Sequence, residues 1–90
     1  MKVLILYRPD SEFAREVETY AQDLKRVHGD ALGRIDLVSV NSRDGASTAS
    51  LYDIMEYPSI LVLADDGSLV NNWNGTPLPL MDEIAGYAFS

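Results

Sequence analysis

Residues 52–67, YDIMEYPSILVLADDG, carry the strongest local structural signals in this sequence. Pro58 opens an apolar run over residues 59–64, and proline is tolerated at the first residue of a strand because no ladder donor is needed there. The following residues 65–67, DDG, are typical of a tight turn. Residues 69–73 then supply a returning strand, so this stretch predicts an antiparallel hairpin.

The N-terminal part of the chain predicts a buried strand followed by a long helix. Residues 2–7, KVLILY, form a nearly continuous apolar run, which is typical of a central strand covered on both faces. Apolar residues then recur at helical spacing from Phe13 to Val27. Asp10 or Ser11 is the expected N-cap of this helix, and Gly29 is its expected end.

The middle and end of the chain complete a single α/β domain over residues 1–90. Residues 35–40 predict a second strand, joined to the first by a right-handed parallel crossover. Residues 41–45 predict a loop and residues 46–55 a short helix. A last helix begins near Pro79, which suits a first helical turn. The resulting order is βαβαββα, a mixed four-stranded sheet with helices on both faces.

The amino-acid composition limits the classes of protein to which this chain can belong. The 90 residues are 47% hydrophobic, enough for one core, and contain no cysteine. The longest uncharged apolar run, residues 58–64, is far short of the ~20 residues that span a bilayer. The N-terminus lacks the features of a signal peptide, and the absence of cysteine leans towards the cytoplasm.

Charge and histidine content argue against several ligands. The net charge of −7 is a poor match for nucleic acid or for an anionic membrane. His28 is the single histidine and has no partner at metal-ligand spacing, so we expect neither a metal nor a cofactor. We expect His28 to be structural or solvated.

Residues 52–67 resemble the stretch around the cis-proline and following hairpin of the thioredoxin and glutaredoxin group. Gly75 falls where that group has a glycine before its last helix, and the element order is the same over nearly the whole chain. The resemblance implies a thioredoxin-like fold with Pro58 as the cis-proline.

The same resemblance locates a redox motif that this chain lacks. The group carries two cysteines, separated by two residues, between its first strand and first helix. The corresponding residues here are Ser11-Glu12-Phe13-Ala14, so neither the thiolate nucleophile nor the resolving thiol is present. Serine and alanine are also the usual replacements in an inactivated variant. The acidic Asp10 and Glu12 would hinder thiolate formation and favour natural divergence.

The leading hypothesis is therefore a redox-inactive domain that binds or scaffolds protein or peptide. In the group, backbone next to the cis-proline pairs with an extended segment, which implies a groove at Tyr57 and Pro58. The further candidates bordering this end of the sheet are Arg8, Ser11, Phe13, Trp73 and Asn74. Core packing of Phe13 and Trp73, and a purely structural Pro58, are the competing interpretations. The chain is expected to be a monomer or a homodimer, associating through a sheet edge or through Tyr87 and Phe89.

The alternative is an enzyme of another class that binds glutathione. Glutathione transferases share the fold and hold a thiol at the corresponding helix start, a role that Ser11 and Tyr7 would take here. The chain lacks their all-helical second domain. Residues 69–72, LVNN, also stand where an acidic-serine pair would be expected after Gly67.

Overall fold

A computed structural model describes residues 1–89, with side chains through Tyr87. Its elements follow the order βαβαββα that the sequence predicts. They are β1 (Lys2–Tyr7), α1 (Ala14–Leu32), β2 (Arg34–Ser39), α2 (Arg43–Leu51), β3 (Ser59–Leu63), β4 (Leu69–Asn74) and α3 (Met81–Ala85), which is followed by a 3₁₀ helix (Gly86–Phe89).

The four strands form one mixed sheet in the order β2-β1-β3-β4. The first strand pairs in parallel with β2 and antiparallel with β3, so β1 is central, as its continuous apolar run predicts. A tight turn joins β3 to β4 in an antiparallel hairpin. The mixed sheet with helices on both faces confirms the predicted fold class.

Strand alternation divides the apolar side chains between two cores. On one face, Val3 and Ile5 of β1 and Ile60 and Val62 of β3 pack against α1 and α3. On the other face, the intervening side chains of the same strands, Leu4, Leu6, Leu61 and Leu63, pack against Ala49 of α2 and against Ile54. Because β1 and β3 supply both cores, neither has a polar face, and the residues between the ends of each strand are apolar.

The predicted boundaries of α1 were wrong at both ends. Asp10 and Ser11 do not cap the helix: Phe13 is its N-cap residue, without a side-chain cap, and the Ser11 hydroxyl donates to the Arg8 carbonyl (2.8 Å). Gly29 lies inside the helix. The helix ends at Gly33, whose φ of 78° suits glycine and whose N–H donates to the Gly29 carbonyl.

The second helix begins at Arg43, earlier than predicted, since residues 43–45 were expected to form a loop. Ser42 is its N-cap, and the Ser42 hydroxyl accepts from the N–H of Gly45 (3.0 Å). Gly45 lies where the backbone of α2 packs closely against the backbone of Ser39, rather than in a turn. A Cβ at this position would lie 1.9 Å from the carbonyl oxygen of Ser39. The helix also ends at Leu51, before the predicted limit of residue 55.

Polar contacts stabilise the β3–β4 turn and the segment before α3. In the turn, the hydroxyl and N–H of Ser68 donate to the Asp66 carboxylate (2.7 and 3.0 Å), which lowers the pKa of that carboxyl. Pro79 lies before α3 rather than in its first turn, and the Pro79 carbonyl accepts from the hydroxyl of Tyr20 (2.8 Å). None of the helices described up to residue 89 is long and apolar enough to cross a bilayer.

Candidate functional site

The segment between β1 and α1 folds as a tight turn. Ser11 donates both its N–H (3.1 Å) and its hydroxyl (2.8 Å) to the carbonyl of Arg8, and its own carbonyl accepts from the N–H of Ala14. These local bonds hold Arg8, Glu12 and Phe13 at the carboxyl end of β1. Ala14, at the position of the missing second cysteine, is buried.

The segment before β3 forms the opposing wall. The peptide bond between Tyr57 and Pro58 is cis, and Pro58 is buried. The carbonyl of Pro58 accepts from the N–H of Gly75 (2.7 Å), which extends the β3–β4 ladder by one step. The Tyr57 hydroxyl is within hydrogen-bonding distance of the Ile54 carbonyl (3.4 Å).

The backbone of Tyr57 is left open at this edge. Within residues 1–89, neither its N–H nor its carbonyl has a hydrogen-bond partner. The carbonyl of the next residue, Pro58, is engaged by Gly75. A donor and an acceptor thus remain without partners just before the start of β3, and an unpaired backbone pair of this kind can accept a further extended segment.

A shallow groove of about 560 Å³ runs along Tyr57. The residues that line it are Arg8, Ser11, Glu12, Phe13, Met55, Glu56 and Tyr57. The guanidinium of Arg8 lies over the Tyr57 ring, 5.3 Å from its centroid, a cation–π arrangement. Met55 is 82% exposed and offers an apolar wall without a partner in the described chain.

A second groove of about 420 Å³ lies along the same pair of residues. Arg8 and Tyr57 line both grooves, and Asp10, Val40 and Asn41 belong only to the second. Residues of α2, among them Ala46 and Ala49, line its far side. The Arg8–Tyr57 pair therefore forms a ridge between two open depressions.

The structure brings together four of the seven residues predicted for the groove: Arg8, Ser11, Phe13 and Tyr57 line it directly. Pro58 is buried and supports the neighbouring backbone. Phe13 has a double role, because it also packs against the α1-side core.

The remaining candidates lie on β4, away from the groove lining. Trp73 packs against the α1-side core, with its ring edge-on to Tyr87 (centroids 5.8 Å apart). Asn74 lies opposite Ser59 across the ladder, and its side-chain oxygen is 2.9 Å from the Ser59 hydroxyl. These contacts agree with the core interpretation of Trp73. Phe89, the other aromatic considered for self-association, has its side chain outside the described residues.

Three groove residues were not predicted as such: Glu12, Met55 and Glu56. None belongs to a helix or strand, so no periodicity indicates which way its side chain points. A usable signal was the position of Met55, a large apolar residue only three positions before Pro58.

The two hydroxyls considered for glutathione binding are already engaged. Ser11 donates to Arg8, and the Tyr7 hydroxyl donates to the Glu18 carboxylate (3.1 Å). Burial raises the pKa of Tyr7, and the Glu18 carboxylate raises it further. The glutathione alternative stays a prediction, and this geometry adds nothing in its favour.

Comparisons with solved structures identify the fold. The chain superposes on thioredoxin 1 from the thermophilic eubacterium Thermosipho africanus TCF52B with a TM-score of 0.67 at 10% identity, covering 96% of this chain and 88% of that one. A structure described as a malarial protein gives a TM-score of 0.61 at 19% identity, covering 82% of this chain and 79% of that one.

A third match is to the first two thioredoxin domains of Saccharomyces cerevisiae Eps1p, with a TM-score of 0.68 at 13% identity. It covers 97% of this chain but 33% of that one, so the chain spans about a third of that structure. No protein-family model matches the sequence, and no curated protein does. The chain therefore has a thioredoxin-like fold in which no residue is cysteine, so its own side chains cannot carry out thiol–disulfide exchange.

Proposed function

We propose that this domain binds an extended polypeptide segment along the groove beside Tyr57. The observation that carries the proposal is that Tyr57, a residue lining the groove just before the start of β3, has an N–H and a carbonyl without a hydrogen-bond partner in residues 1–89. An extended segment would satisfy both groups by adding a short strand. The role is binding or scaffolding rather than catalysis.

The side chains around this backbone pair suit such a ligand. Met55 is 82% exposed, and Phe13 is half-buried on the opposite wall, so an apolar ligand side chain would lose water on both sides. Arg8 is held over the Tyr57 ring, which reduces the entropy lost when a ligand packs against it.

The proposed backbone pairing is tested with two synthetic peptides that differ by one methyl group. One is a Val/Thr-rich extended peptide, and the other carries an N-methyl group at its central amide, which removes one ladder donor. We expect the unmodified peptide to bind and the methylated peptide to bind about tenfold more weakly, because an unpaired carbonyl at Tyr57 costs roughly 1–2 kcal/mol. Isothermal titration calorimetry measures both affinities.

A matched pair of variants tests the groove itself. Met55→Ser removes an apolar wall of the groove, whereas Leu51→Ser removes a similarly exposed apolar side chain (74%) that does not line it. We expect Met55→Ser to weaken peptide binding about fivefold and Leu51→Ser to leave it unchanged. Equal effects of the two variants, or equal affinities of the two peptides, would contradict the proposal.

The partners and the location of the domain are part of the same proposal. We place the domain in the cytoplasm as a monomer or homodimer, acting on protein or peptide rather than on nucleic acid or membrane. The support for a protein or peptide partner is the groove and the net charge of −7.

A further inference from the structure

We infer that the groove selects extended segments with positively charged side chains flanking an apolar one. This inference rests on the proposed function and adds the chemistry of the partner. It comes from the charges that line the two depressions on either side of the Arg8–Tyr57 ridge.

Carboxylates outnumber cations along this surface. Asp10 lines one depression, and Glu12 and Glu56 line the other, against the single guanidinium of Arg8. Glu56 lies close to the ladder itself, because its Oε2 would be 3.1 Å from a Cβ placed on Gly75. A segment paired with Tyr57 would therefore pass carboxylates along its length.

The charged side chains of the ridge and of the groove walls form no salt bridges with the described part of the chain. Within residues 1–89, none of Asp10, Glu12 and Glu56 forms a salt bridge, and neither does Arg8. Arg8 instead stacks on the Tyr57 ring, which places its charge over the ridge rather than beside the carboxylates. The carboxylates are thus free to meet cations supplied by a ligand.

The apolar side chains explain why charge alone does not define the partner. Met55 and Phe13 lie among the carboxylates, so a purely basic peptide would leave their surfaces in water. A segment with one apolar residue between lysines satisfies both features. Exposed ion pairs are individually weak, so we expect the three carboxylates together to give roughly tenfold selectivity over an acidic counterpart.

The experiment compares two capped peptides with the same apolar centre and the same Val/Thr backbone, flanked by lysines in one and by glutamates in the other. At low salt we expect the lysine peptide to bind about tenfold more tightly. The ratio should shrink towards one at high salt, because exposed charges are screened. The double variant Glu12→Gln/Glu56→Gln should lose most of the selectivity. Asp30→Asn, which removes an exposed carboxylate near the far end of α1, should keep it.

The outcomes separate this inference from the proposed function. Equal binding of the two peptides, or tighter binding of the glutamate peptide through Arg8, overturns the charge selectivity and leaves the groove standing. Failure of both peptides to bind, at any salt concentration, overturns the groove as well. Selectivity that survives Glu12→Gln/Glu56→Gln but falls with Asp30→Asn overturns the assignment to these carboxylates.

Discussion

At the scale of single residues, the positions that correspond to the cysteines of the thioredoxin and glutaredoxin group offer little to stabilise a thiolate. Ser11 is held in a turn by two bonds to the Arg8 carbonyl, and the first helical residue is Ala14, three positions later. The favourable field of a helix N-terminus is strongest within the first turn. Asp10 and Glu12 flank Ser11 with negative charge. A thiol placed here would therefore lack the environment that stabilises a thiolate.

The variant Ser11→Cys tests this account. We expect its thiol to titrate at or above the ordinary value of about 8.5, because nearby carboxylates disfavour the thiolate. The measurement follows thiolate absorbance against pH, with the cysteine-free parent as the blank. A thiol that titrates below neutral pH would show that the redox environment persists, contrary to this interpretation.

Two glycines with different surroundings give a second prediction. A Cβ at Gly45 would lie 1.9 Å from the Ser39 carbonyl oxygen, whereas a Cβ at Gly29, inside α1, meets nothing within 4 Å. We expect Gly45→Ala to lower the free energy of unfolding by about 2 kcal/mol or more, since backbone must move. Gly29→Ala should raise it by roughly 0.5–1 kcal/mol through helix propensity. Urea denaturation measures both, and changes of the same sign would contradict the geometry.

At the scale of helices and strands, the sequence predicted what burial controls and missed what local polar contacts control. The bounds of β1 were predicted correctly, because both its faces are buried and its apolar run ends where burial ends. The helix boundaries were not. Ser11 donates to a carbonyl in its own turn instead of capping α1, and Ser42 caps α2, which places Gly45 in the first turn of that helix.

In the candidate groove, too, the residues next to buried strands could be predicted and those outside regular structure could not. Arg8 and Tyr57 could be placed from the sequence, because they follow β1 and precede β3, which are neighbours in the sheet. Trp73 was the hardest to place, because one strand of mixed composition does not reveal which face meets a helix. Met55 and Glu56 lie outside regular structure, where no periodicity fixes side-chain direction.

The contact between α1 and the segment before α3 predicts a dependence on alkaline pH. Burial, with a further contribution from Glu83, raises the pKa of Tyr20 to about 12. In the unfolded chain a tyrosine titrates near 10. The stabilisation is therefore complete below about pH 10 and is lost as pH rises towards 12. Since Tyr20 is only partly buried, solvent screening reduces the effect and we expect a loss of roughly 1–2 kcal/mol.

The variant Tyr20→Phe isolates this effect. It removes the hydroxyl bond to the Pro79 carbonyl, which should cost about 1 kcal/mol at neutral pH, and it also removes the titrating group. The unfolding free energy of the variant should then fall less steeply above pH 10 than that of the parent. Tyr7 is common to both proteins, so the difference between the two pH profiles reports Tyr20. Parallel profiles would show that the burial of Tyr20 has no such consequence.

At the scale of the whole molecule, the fold places the β1–α1 turn and the segment before β3 at one end of the sheet. The paired neighbours β1 and β3 carry Arg8 and Tyr57 to a common ridge. In this arrangement Tyr57, the exposed Met55 and the carboxylates of Glu12 and Glu56 line one groove.

The central claim is that an extended segment pairs with the backbone at Tyr57, and a titration of ¹⁵N-labelled protein followed by amide chemical shifts tests it most directly. With the lysine-flanked Val/Thr peptide, we predict saturable shifts concentrated at Ser11, Phe13, Tyr57, Ser59 and Gly75. Residues of the β2 edge and the C-terminal half of α1 should stay still. The account would be contradicted if the amides of Tyr57 and Gly75 did not shift. This holds both if no amide shifts and if the shifts are confined to another surface.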